Sequence, residues 1–341
     1  ENISGQMKKL GMSCDWSRER FTMDEGLSAA VRQVFVTLYD SGFIYKGSRM
    51  VNWDTKLMSA VSDLEVNLEE QTGKLWSVKY KCGDEFITIA TTRPETILAD
   101  TAVAVNPDDE RYKSFIGKTA IIPIVNREVP IIADEYVDKE FGSGCVKITP
   151  AHDFNDYEIG LKHDLEVISC MKLDGTMSDD DFMPENYKNL DRFEARDQIV
   201  NELSELGFLV SADDHVIQLP KGDRSKSILE PMITDQWFVK TKELADRGIA
   251  EVENENMKFI PKNWEKTYFE WMYNIQDWCI SRQIWWGHQI PAWYDEDGNI
   301  YVATTESEVR EKYKLSDDLK LSQDKDVLDT WFSSALWPFS T

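Results

Sequence analysis

Residues 24–42 place their apolar side chains at helical intervals along one face. These positions are Leu27, Val31, Val34, Phe35 and Leu38. Asp24 can cap the start of such a helix, and Gly42 can end it. The same spacing returns over residues 155–165 and 191–207. The pattern therefore predicts a helix in each of these segments, with one face of each helix packed.

The pattern changes between Phe86 and Pro150, where short β-branched runs are separated by Pro, Gly, Asn and Asp. The runs are FITIAT, TAVAV, TAIIPIV and VPIIA. This texture predicts a small β-barrel, against which the two later helices pack. Residues 227–240 have the pattern of an extended segment, whereas residues 262–286 are dense in aromatic side chains, which is typical of a core.

Length and charge limit the possible functions. The chain has 341 residues, enough for two or three domains. No apolar run approaches the roughly 20 residues needed to cross a bilayer, so we expect no membrane role. With 38 basic and 62 acidic residues the net charge is -24, and RNA could bind only at a local site. Residues 1–20 contain neither an apolar signal segment nor an initiator Met, which suggests an excised fragment.

The cysteines occur singly and do not cluster with the four histidines. They are Cys14, Cys82, Cys145, Cys170 and Cys279. Because no C-x-x-C pair is present, the spacing predicts neither a zinc site nor a disulfide framework. A reducing, cytoplasmic setting fits this pattern.

The first candidate motif is the hexamer Thr91-Thr92-Arg93-Pro94-Glu95-Thr96, which follows the apolar run FITIA. The proline must end regular strand pairing and turn the hydroxyls and the guanidinium outward. Rotating hydroxyls and a planar guanidinium suit a polar, anionic ligand. A polar cap between a strand and a helix explains the hexamer equally well, so both interpretations stay open at this point.

The second candidate motif runs from Lys147 through Thr149 to His152, Asp153 and Asp156. If a helix starts near Asp153, the two carboxylates lie on adjacent turns of one face. Carboxylates beside a lysine can bind an ammonium and a hydroxyl. Taken alone, a capping Asp followed by a solvated Asp is the commoner arrangement.

Two other kinds of chemistry are less well supported. A metal site at His152, Asp153 and Asp156 lacks further clustered His or Cys ligands. Nucleophilic catalysis lacks a G-x-S-x-G motif, and no histidine lies beside a cysteine in the sequence. The sequence therefore favours a site without a metal and without a covalent intermediate.

The order of several segments carries a resemblance that none of them carries alone. They are TTRPET, GSGCVKITPAHDFNDYEIG, EPMITDQWFVK, NWEKTYFEWMYNIQDWCISRQIWWGHQIPAWY and DVLDTWFSSALWPFS. Together they resemble the valyl-tRNA synthetases, a family of class I aminoacyl-tRNA synthetases, from Gly11 to Ser340. Isoleucyl- and leucyl-tRNA synthetases share the layout, but Trp285-Trp286-Gly287-His288 and the segment 328–334 resemble the valine enzymes best.

The resemblance implies a fold that is part α/β and part β. A β-barrel editing domain, at about residues 66–218, would be inserted into a Rossmann-like class I catalytic domain. Residues 1–65 and 219–341 would be pieces of that catalytic domain. Activation of an amino acid by ATP and Mg uses the family's HIGH and KMSKS motifs, and neither is present. Arg224-Ser225-Lys226-Ser227 resembles the end of KMSKS but precedes WCISRQ, where the true motif should follow DTWFSS.

The resemblance also assigns roles to the two candidate motifs. Asp156 would pair with the α-ammonium of the substrate. Three residues would bind the threonine hydroxyl or orient water: Asp153, Lys147 and Thr149. Five residues would hold the aminoacyl-adenosine end: Thr91, Thr92, Arg93, Thr96 and His152. Editing would need no metal or organic cofactor, and Trp285 or Trp286 would help to form the valine pocket of the synthetic site.

The function that follows is removal of threonine from mischarged tRNA(Val), whose acceptor end would be the partner. A pocket sized for valine cannot strongly reject the isosteric threonine, so a second site that hydrogen-bonds the threonine hydroxyl is needed. One alternative is an isoleucine-type enzyme, whose editing pocket would be apolar around the side chain. Another is a tRNA-docking module that is inactive without the rest of the synthetase. Exposure of the aromatic block would promote self-association.

Overall fold

The computed structural model describes residues 2–340 and divides into two compact units. One unit comprises residues 1–45 and 237–341, and the other comprises residues 46–236. The chain passes between the units within two strands, Ile44–Asp54 and Glu230–Val239. The predicted inserted domain, residues 66–218, lies inside the second unit, and its boundaries stay a prediction.

The described residues contain nine α-helices. They are α1 (Asn2–Lys9), α2 (Glu25–Asp40), α3 (Phe154–Lys162), α4 (Arg192–Glu205), α5 (Lys242–Glu253), α6 (Trp264–Tyr273), α7 (Glu306–Tyr313), α8 (Thr330–Ser334) and α9 (Trp337–Ser340). None of the described helices is both long and apolar enough to span a bilayer.

The strands of the same residues alternate with these helices. They are β1 (Ile44–Asp54), β2 (Ser59–Val61), β3 (Val66–Cys82), β4 (Glu85–Thr91), β5 (Ala102–Val105), β6 (Thr119–Ile121), β7 (Glu128–Ala133), β8 (Cys145–Ile148), β9 (Leu209–Gly222), β10 (Glu230–Val239), β11 (Trp278–Cys279), β12 (Ser281–Arg282), β13 (Ala292–Tyr294), β14 (Ile300–Val302), β15 (Ser322–Gln323) and β16 (Val327–Leu328).

Unit 46–236 is built on a sheet with the strand order β4-β3-β6-β7-β5-β8, and β9 pairs with β3 as its seventh strand. β5 and β7 run parallel, whereas the other pairs, such as β3 with β4, are antiparallel. The end strands β4 and β8 approach each other, so the sheet curls toward a barrel. The predicted combination of an α/β part with a curled β-domain is confirmed.

The core of this sheet consists of small and β-branched residues. Ala102 and Ala104 on β5 pack with Ile148 on β8 and with Ile159 on α3, and all four are buried. Burial of these side chains removes apolar area from water, and each Å² buried stabilises the fold by about 25 cal/mol. Packing of α3 on β5 and β8 is what places the first turn of this helix beside the end of β8.

Unit 1–45 and 237–341 has its own core around α2. Asp24 caps this helix, and its side chain accepts a hydrogen bond from the Leu27 backbone N–H at 2.8 Å. Val31 and Phe35 are buried against Trp237, and Phe35 meets the Trp237 ring edge-on at 5.4 Å. The predicted helices over residues 24–42, 155–165 and 191–207 are confirmed as α2, α3 and α4.

The aromatic segment 262–286 differs from the expectation of a core. None of the described residues of α6 is buried. Trp285 is 103% exposed and Trp286 is 71% exposed. An aromatic stripe is buried only where another surface covers it, and among residues 2–340 no such surface covers these two rings.

Candidate active site

A pocket of about 460 Å³ lies in unit 46–236, and the two candidate motifs contribute most of its polar lining. All nine residues predicted for the editing site line it: Thr91, Thr92, Arg93, Thr96, Lys147, Thr149, His152, Asp153 and Asp156. The structure thus brings together side chains that lie more than 50 positions apart in the sequence. Tyr136 and Phe141 add aromatic area to the lining.

The hexamer occupies the junction between β4 and a short 3₁₀ helix, Pro94–Ala99. β4 ends at Thr91, and Pro94 is in the first turn of the 3₁₀ helix, where a missing N–H costs nothing. The Thr91 hydroxyl oxygen accepts a bond from the Arg93 N–H at 3.0 Å, and the Thr96 hydroxyl donates to the Arg93 carbonyl at 3.0 Å. The sequence left open whether the hexamer is a polar cap or part of a binding site. In the structure it is both, because residues at this junction between strand and helix also line the pocket.

The Arg93 guanidinium points inward, whereas the sequence suggested that Pro94 would turn it outward. Its Nε donates to Glu95 Oε1 at 3.2 Å, its Nη1 donates to the His152 carbonyl at 2.7 Å, and its Nη2 is bonded to Glu230. The side chain is 26% exposed. Two buried carboxylates draw the guanidinium in, because a buried anion must be paired.

Both carboxylates that hold Arg93 also bind arginines of α4. Glu95 accepts two bonds from Arg196, at 2.7 and 2.8 Å. Glu230 accepts a bond from Arg192 Nε at 2.6 Å. We call these five side chains the arginine wall: Arg93, Glu95, Arg192, Arg196 and Glu230. Arg93 and Glu95 belong to the hexamer, whereas the other three were not predicted, although the spacing of four between Arg192 and Arg196 places both on one face of a helix.

A second buried cluster forms around Lys147 on β8. Its Nζ donates to Asp100 Oδ1 at 3.0 Å and is also bonded to the Thr149 hydroxyl. The Thr149 hydroxyl in turn donates to the same Asp100 oxygen at 2.7 Å. The Tyr80 hydroxyl donates to the other oxygen, Oδ2, at 2.5 Å. Asp100 is fully buried, and it was not predicted from the sequence.

Burial dominates the electrostatics of this cluster. It raises the pKa of Asp100, although Lys147, Tyr80 and Thr149 all act in the opposite direction. It also raises the pKa of Tyr80, and the neighbouring Asp100 charge adds to that rise. The cluster is therefore held by an ionic bond and three further hydrogen bonds in a low-dielectric setting.

Asp153 and Asp156 differ in role although both are at the start of α3. Asp153 is the N-cap residue, and its Oδ1 accepts bonds from the N–H groups of Asn155 at 2.8 Å and Asp156 at 3.1 Å. Asp156 is buried, and its Oδ2 accepts a bond from the Thr149 N–H at 2.8 Å. The expected cap is confirmed for Asp153, but Asp156 is not the solvated residue of the commoner arrangement.

Burial raises the pKa of Asp156 to about 7. The Lys147 charge acts to lower this pKa, and the Asp153 charge acts to raise it. A carboxylate with such a pKa changes its charge near neutral pH, which is common at functional sites. We call the four side chains at this end of the pocket the acidic floor: Asp100, Lys147, Thr149 and Asp156.

Helix α3 lies unusually close to the end of β8. A Cβ atom added at Gly160 would lie 2.9 Å from Pro150 Cγ, closer than real Cβ contacts come. The absence of a side chain at Gly160 thus lets the helix approach the strand. This approach brings Asp156 within bonding distance of Thr149.

His152 is buried, and burial lowers the pKa of its imidazole to about 3. Its Nε2 accepts a bond from the Cys170 N–H at 2.8 Å, so the neutral ring carries its proton on Nδ1. Nδ1 is buried without a hydrogen-bond partner. The rival metal site is not assembled: residues 2–340 contain no group of three or more His, Cys, Asp or Glu side chains able to hold a metal ion.

Trp285 and Trp286 belong to the other unit and do not line this pocket. Their predicted place in a valine pocket is therefore separate from the nine residues described above. The geometry alone defines a polar pocket with a buried carboxylate and lysine at one end and a fixed guanidinium at its side.

The family of the chain is shown by comparison with known proteins. All of it, residues 1–341, matches the model of the tRNA synthetases class I (I, L, M and V). The chain therefore belongs to this family of class I tRNA synthetases. The resemblance predicted from the order of the motifs is confirmed.

Within this family, the chain is similar to valine–tRNA ligases. It is 58% identical over 341 residues to the valine–tRNA ligase of Legionella pneumophila strain Lens, which covers 99% of this chain and 37% of the relative. It is 56% identical over 341 residues to the valine–tRNA ligase of Francisella tularensis subsp. tularensis, with the same coverage. The chain thus spans 37% of the length of these relatives.

Solved structures give a weaker likeness. The agnB2 LeuRS of Agrobacterium radiobacter K84, solved as a ternary LeuRS-tRNA-LeuAMS complex, is 16% identical with a TM-score of 0.36. The match covers 98% of this chain and 46% of that chain.

Proposed function

We propose that unit 46–236 is an editing esterase that hydrolyses threonyl-tRNA(Val), within a protein that ligates valine to tRNA(Val). The name of the curated relatives supports the valine specificity of the whole protein. The pocket supports the hydrolytic activity. Threonine and valine would be the aminoacyl groups that it distinguishes, and the acceptor end of tRNA(Val) would be its partner in the cytoplasm.

The acidic floor is the observation that carries this proposal. An isoleucine-type editing pocket, which must accept valine, would be apolar around the side chain. Here the lining of the pocket instead contains Lys147, Thr149 and Asp156. Lys147 and Thr149 keep hydrogen-bonding capacity beyond their bonds to Asp100 and to each other, and a threonine hydroxyl can use it. Valine would leave that capacity unused, at a cost of roughly 1 to 3 kcal/mol for each group.

The reaction needs one water molecule. The water oxygen adds to the carbonyl carbon of the ester, and the bond between that carbon and the ribose oxygen breaks. The proton released by the water passes to the ribose oxygen, which leaves threonine and a tRNA with a free terminal hydroxyl. Because the ester is intrinsically labile, positioning and polarisation are sufficient without a covalent enzyme intermediate.

The side chains of the pocket divide this work. Asp156 pairs with the α-ammonium, because it is the buried carboxylate whose bonded oxygen, Oδ2, accepts only a neutral backbone N–H. Lys147, Thr149 and Asp153 bind the threonine hydroxyl or orient the water. Arg93 polarises the carbonyl, since its guanidinium keeps N–H donors beyond the three that bond Glu95, Glu230 and the His152 carbonyl.

The remaining polar side chains hold the adenosine end. Thr91 and Thr96 each form one bond with the Arg93 backbone, and each keeps further hydroxyl capacity for the ribose. Thr92 lines the same side of the pocket, and the His152 ring contributes a neutral donor. None of these roles uses a metal or an organic cofactor.

Ligation of valine would be an activity of the longer protein, with ATP and Mg. The sequence contains neither the HIGH nor the KMSKS motif. The residues of this chain therefore do not fit the activation of ATP, and no step of activation is assigned to them. Trp285 or Trp286 would form part of the valine pocket of that synthetic site.

A direct test offers Thr-tRNA(Val) and Val-tRNA(Val) to the purified chain and follows deacylation of each. We expect the threonyl ester to be hydrolysed about 10- to 100-fold faster, since one or two polar groups stay unpaired with valine. Equal rates would contradict threonine specificity. Absent hydrolysis with retained tRNA binding would instead support the docking module.

A further inference from the structure

The arginine wall holds one guanidinium from two directions. Glu95 is in the 3₁₀ helix directly after Arg93, whereas Glu230 is on β10, 137 residues away in the sequence. Each carboxylate is itself fixed by an arginine of α4, Glu95 by Arg196 and Glu230 by Arg192. The 3₁₀ helix and β10 thus set the direction of the Arg93 side chain, and α4 holds the carboxylates of both elements in place.

Each guanidinium group of the wall has a carboxylate partner. Arg192 has a second one outside the wall, since its Nη1 lies 3.9 Å from Asp191 Oδ2. The side chains of Glu95 and Glu230 are 0% and 4% exposed, so water screens their ion pairs weakly. Arg93 is the member of the wall that lines the pocket, so its guanidinium is the one that faces a ligand.

We propose that Glu230 is a positioning residue of the editing pocket, which acts by fixing the Arg93 guanidinium at the place where the ester carbonyl of the substrate binds. This role of Glu230 rests on the proposed function, and Glu230 itself does not line the pocket. Removal of the Glu230 charge would leave Arg93 tied only to Glu95 and the His152 carbonyl. It would also leave Arg192 with only the more distant Asp191 as its ionic partner, and it would make the net charge of the wall more positive, which drives the Arg93 guanidinium away from its present position.

The competing explanation is that Glu230 only joins α4 to β10 and stabilises the unit. Loss of such a link would lower the free energy of unfolding but would leave the kinetics of the folded protein unchanged. A positioning residue instead lowers kcat/KM, and its effect disappears once Arg93 has been removed.

The test is a double-mutant cycle with Glu230→Gln, Arg93→Gln and the double variant, measured as kcat/KM for Thr-tRNA(Val) well below the melting temperatures. Glu202→Gln is the matched control, because Glu202 is also a carboxylate that links α4, through the Tyr187 hydroxyl, but does not touch Arg93. We expect a loss of about 10- to 100-fold in Glu230→Gln, since a displacement of about 1 Å can cost that much. The double variant should be no slower than Arg93→Gln alone.

Each outcome decides the proposal. If the parent chain hydrolyses the ester and Glu230→Gln is as fast, or if the two losses multiply in the double variant, Glu230 does not position Arg93. If the parent chain itself does not hydrolyse the ester, the proposed function fails and the role of Glu230 fails with it. If Glu230→Gln does not fold, Glu230→Asp keeps the charge but shortens its reach, and an unchanged kcat/KM in that variant overturns the proposal.

Discussion

The acidic floor and the arginine wall are both buried and both charged, yet burial has opposite outcomes in them. In the floor, burial raises the pKa of Asp100 and of Asp156. In the wall, burial also acts to raise the pKa of Glu95, but the bonds and charges of Arg196 and Arg93 outweigh it and the pKa is lowered. The number of cationic partners decides the direction.

This difference separates two tasks within one pocket. In the wall the pKa of Glu95 is lowered and the pKa values of Arg93 and Arg196 are raised, so these three charges can serve as a fixed electrostatic support. The floor has two carboxylates and one lysine, which leaves Asp156 able to bind a proton or a substrate cation near neutral pH. The substrate ammonium would supply the partner that the floor lacks.

The largest expected effect on deacylation comes from removal of Asp156, the carboxylate that forms no ion pair within the floor. Asp156→Ala should lower kcat/KM for Thr-tRNA(Val) by about 100-fold or more, because the substrate ammonium would be buried without a counter-charge. Deacylation rates at equal protein concentration measure this. Glu158→Ala, an exposed carboxylate on the same helix, is the control and should keep the parent rate. An Asp156→Ala variant as active as the parent would remove the main support for the proposed function.

A smaller effect on deacylation is expected when the acidic floor loses the carboxylate of Asp100. Asp100→Asn keeps the shape of the side chain but leaves the Lys147 charge without its partner, so Lys147 should turn toward Asp156 and compete with the substrate ammonium. We expect a loss of about 10-fold or more in kcat/KM, and destabilisation of about 3 kcal/mol, typical of a broken buried pair. Deacylation kinetics and urea unfolding measure the two.

The matched control for that variant is Asp134→Asn. Asp134 is a buried carboxylate that binds Lys162 and His163 at 2.8 and 2.7 Å, and the partners around it hold its pKa at about 2. Its loss should also lower the free energy of unfolding. If both variants lose deacylation to the same degree, the effect of Asp100→Asn would reflect general destabilisation rather than the geometry of Lys147.

The smallest effect concerns pH. Because the pKa of Asp156 is about 7, its carboxylate is mostly ionised at pH 8 and mostly protonated at pH 6. The kcat/KM for deacylation, which reports the free protein, should therefore fall about 10-fold from pH 8 to pH 6. Arg93→Gln should keep this profile at a lower rate, whereas Asp156→Asn should flatten it. A profile that is flat in the parent chain would mean that Asp156 does not control binding.

The sequence predicted the parts of the pocket that depend on local order. A strand followed by proline predicts where the pairing ends, and spacing by three predicts that Asp153 and Asp156 lie on one face at the start of a helix. Residues 147–156 lie close together along the chain, so the lysine, the threonine and the two carboxylates could be predicted as one group. The order of five segments along the chain identified the family.

The sequence could not predict the partners that decide how these residues behave. Asp100 lies 47 residues before Lys147, and Glu230 lies 137 residues after Arg93. Ion pairs over such distances depend on how the sheet curls and where α4 packs, which no local pattern specifies. For the same reason the inward direction of Arg93 and the exposure of Trp285 became visible only in the folded chain.

The close approach of α3 to β8 makes the chemistry of the floor depend on a residue without a side chain. Gly160 does not line the pocket, yet a single methyl group there would collide with Pro150 at the end of β8. Position 160 thus controls how close α3 can come to the strand that carries Lys147. Any larger residue at this position would shift Asp156 relative to Thr149 without changing a polar group.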